Sequence, residues 1–188
     1  MSAPISMSTP IRYFVAALLP DHAKNQLIAA QPHAAPGVRL LTHRELHLTL
    51  HYLGEVNSPS EVATALASVS MKTFRIAVRG NGAFPSEANP EVLWAGVERA
   101  STLSALHDSI GACLNRAVGF QPEARTYSPH VTLARLNRPC SDDTIERYLK
   151  ENKEFRIPSI PIRHFALYSS RFVSGIPEYE EQARFDLM

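Results

Sequence analysis

Several things are scarce in this 188-residue sequence, and each scarcity excludes something. There are only two cysteines, Cys113 and Cys140, with no metal-type spacing between them. A disulfide scaffold and a thiolate zinc site are therefore excluded, and so few thiols predict a reducing compartment. Excess charge is also missing: 19 basic against 18 acidic residues leave a net charge of +1. No global field grips long nucleic acid, so any anion site must be local. Long apolar runs are absent too. The longest early one, Phe14 to Leu19, is too short to span a membrane. It follows Arg12, as a signal peptide would, but Pro20-Asp21-His22 stand where a small-residue cleavage site belongs. A buried first strand, no membrane association and a cytoplasmic location are the expectations.

What is present is an ordinary globular composition, 45% hydrophobic, at a length that suits one domain or one domain of two similar lobes. Residues 1–10, "MSAPISMSTP", lack periodicity and read as a loose tail, leaving residues 11–188 as a single domain.

Two short stretches stand out. "HLTL" covers His47 to Leu50 and "HVTL" covers His130 to Leu133. On a strand, histidine and threonine share one face, and the two apolar residues anchor the other. Each copy thus presents an imidazole beside a hydroxyl.

The flanking sequence repeats as well. The first half predicts a strand over 12–19, a helix over 21–31 closed by Pro32, and a strand over 45–53. A helix to about 69 follows, opened by a Ser58, Pro59, Glu61 capping box, and then a strand over 73–79 ended by the Gly-Asn-Gly at 80–82. The second half predicts a strand over 92–97 and a helix over 102–118. That helix has Ser101 as cap, Gly119 as stop and a stripe of Leu103, Leu106, Ile110, Leu114 and Ala117. Next come a strand over 129–136, a helix over 141–150, and strands over 162–168 and 179–187. His47 follows Arg12 by 35 residues and His130 follows Val92 by 38. Matched positions suggest an internal duplication in which a pseudo-twofold brings the two His-Thr strands together across a cleft.

Two facing imidazoles suit concerted acid–base chemistry, because a pKa of about 6.5 lets histidine serve as either partner near neutrality. Thr49 and Thr132 would donate to an oxyanion held between them. A phosphodiester fits, with nucleophile and leaving group on opposite sides of phosphorus. No metal or other cofactor is demanded. Arg135 can neutralise the phosphate, but strict alternation puts it on the face opposite His130. It reaches the cleft only if the strand ends or bulges there.

The chain resembles the two-histidine (2H) phosphoesterases, specifically the bacterial RNA 2′,3′-cyclic phosphodiesterases, also called 2′-5′ RNA ligases. The resemblance rests on "RYFVAALLP", "ELHLTLHYLGEV", "VLWAGVE", "YSPHVTLARL" and "FALYSSRF" followed by "YE", in the family's order over nearly the whole chain. It implies an α+β bilobal fold of two pseudo-symmetric lobes, each an antiparallel sheet with flanking helices, and a metal-free cleft between them. It implies opening of 2′,3′-cyclic phosphate ends of RNA or nucleotides, tRNA fragments among them, to 2′-phosphates by a monomer. It makes His47 the proton donor, His130 the acceptor that activates water, Thr49 and Thr132 phosphate-binding residues, and Arg135 the matching basic residue. His51, where the family often has an apolar or aromatic residue, is a departure expected to affect the site's acidity.

Other readings remain at this point. The same site catalyses the reverse reaction, joining RNA ends through a 2′-5′ bond. An RNA-end-binding module with little turnover would not need two matched proton-transfer groups. The four-residue steps from His43 to His47 to His51 would align three imidazoles for zinc on a helix, though the segment is β-rich. His22 and His107 read as solvent-facing, Trp94 as core, and Tyr13, Phe14 and Tyr168 as candidates to stack on a base.

Overall fold

The computed structural model describes residues 10–137, 140 and 142–188, so the predicted tail lies almost wholly outside the described residues. The elements run β1 (Arg12–Ala17), α1 (Asp21–Ala29), β2 (Val38–Leu40), β3 (Leu48–Gly54), α2 (Pro59–Leu66), β4 (Phe74–Phe84), β5 (Val92–Val97), α3 (Ser101–Val118), β6 (His130–Leu136), α4 (Asp142–Glu151), β7 (Arg156–Ile162), β8 (His164–Val173) and β9 (Ile176–Asp186). One antiparallel sheet has the order β3-β1-β8-β9 and the other β2-β6-β5-β4-β7. The fold is α+β with two sheet-based lobes, as the sequence predicts.

The two sheets correspond strand for strand. β3, β1, β8 and β9 match β6, β5, β4 and β7, with β2 added outside β6. In each lobe the motif strand and its neighbour are joined through a helix, α1 between β1 and β3, α3 between β5 and β6. The lobes are not the two halves of the sequence, however. β4 follows the first motif but joins the second sheet, while β8 and β9 return from the C-terminal end to complete the first. Each lobe borrows strands from the other half of the chain. Buried side chains from both lobes join in one cluster, including Val15, Leu48 and Phe165 from the first sheet and Leu93, Val131 and Leu133 from the second.

Local chemistry explains most elements. The apolar stripe of α3 buries Leu103, Leu106, Ile110 and Leu114, each at 1% exposure or less, while Ala117, expected on the same stripe, is exposed in the last turn. Gly119 ends it at φ 69°, the left-handed conformation only glycine adopts without strain. The cap predicted at Ser101 falls on Ala100, and Ser101 is the first helical residue. Ser58 sits at the N-cap of α2 with Pro59 behind it, but its side chain makes no capping bond. β4 runs through Gly80-Asn81-Gly82 instead of stopping there, with a register shift between Val78 and Asn81. Gly82 is needed for space, because a Cβ there would overlap the Trp94 indole. β7 escapes sequence reading because Pro158 and Pro161 interrupt it; an edge strand tolerates them, and β7 is an edge. The β8–β9 hairpin turns at Ser174 and Gly175, both at positive φ, as a two-residue turn requires. Among the described residues, no helix is long and apolar enough to cross a membrane.

Candidate active site

Each motif strand carries a bulge at the same place. On β1, Val15 pairs with His51 and Ala16 with Thr49, so Leu50 has no partner there. On β5, Leu93 pairs with Ala134 and Trp94 with Thr132, so Leu133 has none. The extra residue is the final leucine of each His-x-Thr-Leu. Burial records the slip identically: Leu48–Tyr52 and Val131–Arg135 both read buried, half-buried, buried, buried, exposed. A bulge reverses which face later residues occupy. Arg135 therefore shares the face of His130 and Thr132, which unbroken alternation forbids. By the same slip Tyr52, 49% exposed, shares the face of Thr49, opposite Phe14 on β1.

The histidines are oriented alike. Nδ1 of His47 lies 2.6 Å from the Glu45 carbonyl oxygen, and Nδ1 of His130 lies 2.8 Å from the Ser128 carbonyl oxygen. A carbonyl only accepts, so each Nδ1 carries the hydrogen and each Nε2 is the working atom. His47 stacks on Phe14 at 4.8 Å between ring centroids, with Tyr179 edge-on at 5.4 Å. His130 meets Phe84 edge-on at 4.9 Å, with Trp94 tilted at 6.2 Å.

These surroundings set the charge states. Burial drives the His47 pKa down to about 4 against the pull of the Glu45 carbonyl, and Lys24, Arg135 and His130 lower it further. His130 is lowered too, by burial first and Arg125 second. The charges of Arg135 and His130 thus act on His47 across the cleft between the lobes. Without ligand, both imidazoles are neutral at pH 7, and Lys24 and Arg135 make no ion pair among the described residues, an arrangement suited to an anion. Neither the Thr49 nor the Thr132 hydroxyl has a hydrogen-bond partner among the described residues.

The turn before His47 is braced from the other lobe. The Glu45 carboxylate accepts hydrogen bonds from Thr42 N (2.8 Å), Thr42 Oγ1 (2.9 Å) and Arg39 Nη1 (2.7 Å). Burial opposes its charge, but these donors outweigh that and hold the carboxyl below its usual range. Arg39 lies on β2, opposite Arg135. A second brace runs through Tyr127, whose hydroxyl donates to the Thr49 carbonyl at 2.9 Å and whose ring stacks on His107 at 4.1 Å. Sequence reading missed Arg39, Glu45, Tyr127 and Lys24. Only the Thr-x-x-Glu spacing of Thr42 and Glu45 was a legible signal.

One of the remaining histidines lies otherwise than predicted. His107 is not solvent-facing; its side chain, 18% exposed, lies between Tyr127 and His51. His51 is buried on the opposite side of β3, where its Nε2 donates to the His107 carbonyl at 2.8 Å. The aligned zinc trio does not form. His43 stands 3.6 Å from Asp21, His47 faces the cleft and His51 faces α3; among the described residues no three potential ligands converge. Trp94 is half-buried beside His130 and not within the core. Phe14 and Tyr168 stack on each other at 5.3 Å as part of the wall behind His47.

The model of the 2′-5′ RNA ligase superfamily matches residues 19–171. The chain is 32% identical over 151 residues to the RNA 2′,3′-cyclic phosphodiesterase of Aeropyrum pernix, covering 79% of this chain and 85% of that one. The enzyme of the same name from Aquifex aeolicus is 32% identical over 150 residues, 77% of this chain and 79% of its own. Among solved structures, one from Thermus thermophilus superposes with a TM-score of 0.76 at 27% identity, covering 94% of this chain and 97% of that one. Escherichia coli LigT complexed with 3′-AMP superposes with a TM-score of 0.72 at 25% identity, covering 95% and 98%.

Proposed function

The chain belongs to the 2′-5′ RNA ligase superfamily, and from that premise we propose that it is an RNA 2′,3′-cyclic phosphodiesterase. It opens terminal 2′,3′-cyclic phosphates of RNA or nucleotides, tRNA fragments among them, to 2′-phosphates. The observation that carries this is the matched pair of imidazoles, each held at Nδ1 by the carbonyl two residues before it. Binding alone has no use for two such groups. Relatives named RNA 2′,3′-cyclic phosphodiesterase supply the substrate class.

The cyclic phosphate sits between the lobes, its non-bridging oxygens taking hydrogen bonds from Thr49 and Thr132 and charge from Arg135. His130 Nε2 accepts a proton from water as the water oxygen attacks phosphorus. The bond from phosphorus to O3′ breaks on the far side, and His47 Nε2–H delivers its proton to O3′. One proton enters and one leaves, so the pair ends with its charges exchanged and resets through solvent. No step requires a metal. Residues 11–188 act as one unit, since each lobe supplies one histidine. A monomer working in the cytoplasm fits this reading.

The test is turnover of a nucleoside 2′,3′-cyclic phosphate, with phosphorus NMR of the product. The wild type yields the 2′-monophosphate and keeps its activity after exhaustive EDTA treatment. His47→Ala and His130→Ala each lose about 10²–10⁴-fold in kcat while remaining folded. Near-wild-type turnover by either variant sinks the assignment. A predominant 3′-phosphate reverses the donor and acceptor roles.

A further inference from the structure

Beside His47 the cleft floor of the first lobe continues into a hollow of about 430 Å³. Its walls include Lys24, Arg163, His164, Tyr168 and Arg184. Tyr168 belongs to both places. Its ring stacks on Phe14, and its centroid lies 6.4 Å from that of His47. The hollow therefore adjoins the candidate site.

The charges in this hollow are partly balanced and partly not. Arg184 is held by Glu181 through two hydrogen bonds of 2.9 Å, and His164 by Asp186 at 2.7 Å. Asp21 also lines the hollow, but its side chain is 87% exposed and leans towards His43. Arg163 makes no ion pair among the described residues, and its backbone carbonyl alone is engaged, by Leu187 N. Lys24 is half-buried on α1 and makes no ion pair among the described residues; burial lowers its pKa, and the charge of Asp21 offsets that only in part. Two unpaired cations over an open hollow, one of them desolvated, are equipment for an anion that arrives with a ligand.

We propose that this hollow is a second phosphate subsite, which takes the 5′-phosphate of the nucleotide whose cyclic phosphate lies between His47 and His130. The inference rests on the proposed function and extends it. Lys24 acts on both sides, since its charge also bears on His47. In RNA this 5′-phosphate is the diester linking the terminal nucleotide to the chain, so the subsite favours RNA ends over free cyclic nucleotides. Arg163 supplies a planar pair of donors suited to phosphate oxygens, and Arg184, though paired with Glu181, also lines the hollow.

The experiment compares kcat/KM for a nucleoside 2′,3′-cyclic phosphate with that for the same compound carrying a 5′-phosphate. The ratio cancels effects on the chemical step. The wild type is expected to favour the 5′-phosphorylated compound by about ten-fold or more, the scale of a charge-assisted contact. The preference should shrink as salt rises. In Arg163→Gln, and further in the Arg163→Gln, Arg184→Gln double variant, the ratio should fall towards one. A ratio near one in the wild type, or a preference that survives in the double variant, overturns the subsite. Failure to turn over either compound would instead sink the functional reading itself.

Discussion

At the scale of the residue, His47 poses the sharpest question. The role assigned to it needs a proton on Nε2, yet its surroundings lower its pKa to about 4. At pH 7 only about one free molecule in a thousand would carry that proton. Substrate supplies the remedy. A bound phosphate anion favours the imidazolium and offsets both burial and the field of Lys24 and Arg135. Phosphate binding and protonation of His47 are therefore coupled. Inorganic phosphate should bind more tightly as pH falls from 8 to 6. The His47 ring, followed by NMR, should titrate near 4 alone and about three units higher, close to neutrality, with saturating phosphate. A His47 titration that ignores phosphate would rule out the donor role. The imidazoles themselves were legible in the sequence, since two copies of one motif demand a shared reason. Their acidity was not, because it depends on Phe14, Lys24 and Arg135, which only the fold brings near His47.

At the scale of the element, the decisive feature is the bulge in each motif strand. Alternation read from sequence puts Arg135 behind the sheet; one unpaired leucine, repeated at Leu50 and Leu133, returns it to the cleft. Nothing in "HLTL" or "HVTL" announces a bulge, for leucine is an ordinary strand residue and the extra position is defined only by the partner strand. The matched bulges also break the symmetry of the cleft, presenting a guanidinium from one lobe and the Tyr52 phenol from the other. Arg135→Gln should raise KM for a cyclic nucleotide by about 10–100-fold, the usual worth of a charged hydrogen bond. Because Arg135 is exposed, its melting temperature should stay within a degree or two of wild type. Unchanged KM would mean that the guanidinium points away from phosphate despite the slip. Edge elements were the other blind spot: β2 is three residues long and β7 carries two prolines, so neither shows a periodic signal.

At the scale of the molecule, the duplication was legible but its wiring was not. Local patterns show two similar halves; long-range pairing decides that β4 crosses to the second lobe and β8 to the first. That exchange ties the lobes together, so a site assembled from one histidine per lobe keeps its geometry. It also makes the site costly in acid. His47, His51 and His130 all have folded pKa values below 6.5, with burial the largest cause in each. A group lowered in this way binds its proton more readily when unfolded, so stability is full above pH 6.5 and declines as pH falls. For His47 the loss begins near 6.5 and continues to about 4. By pH 5 it amounts to about 2 kcal/mol, taking 1.36 kcal/mol per pKa unit. Glu45 and Glu181 also have lowered pKa values, but their contributions fade only below about 4.5, outside the interval between pH 7.5 and pH 5. Urea unfolding at pH 7.5 and pH 5 separates the two effects. Wild type should lose about 2 kcal/mol more than His47→Gln over that interval, since glutamine cannot titrate. Equal losses would mean that His47 is not held neutral in the folded protein, and that the donor already carries its proton before substrate arrives.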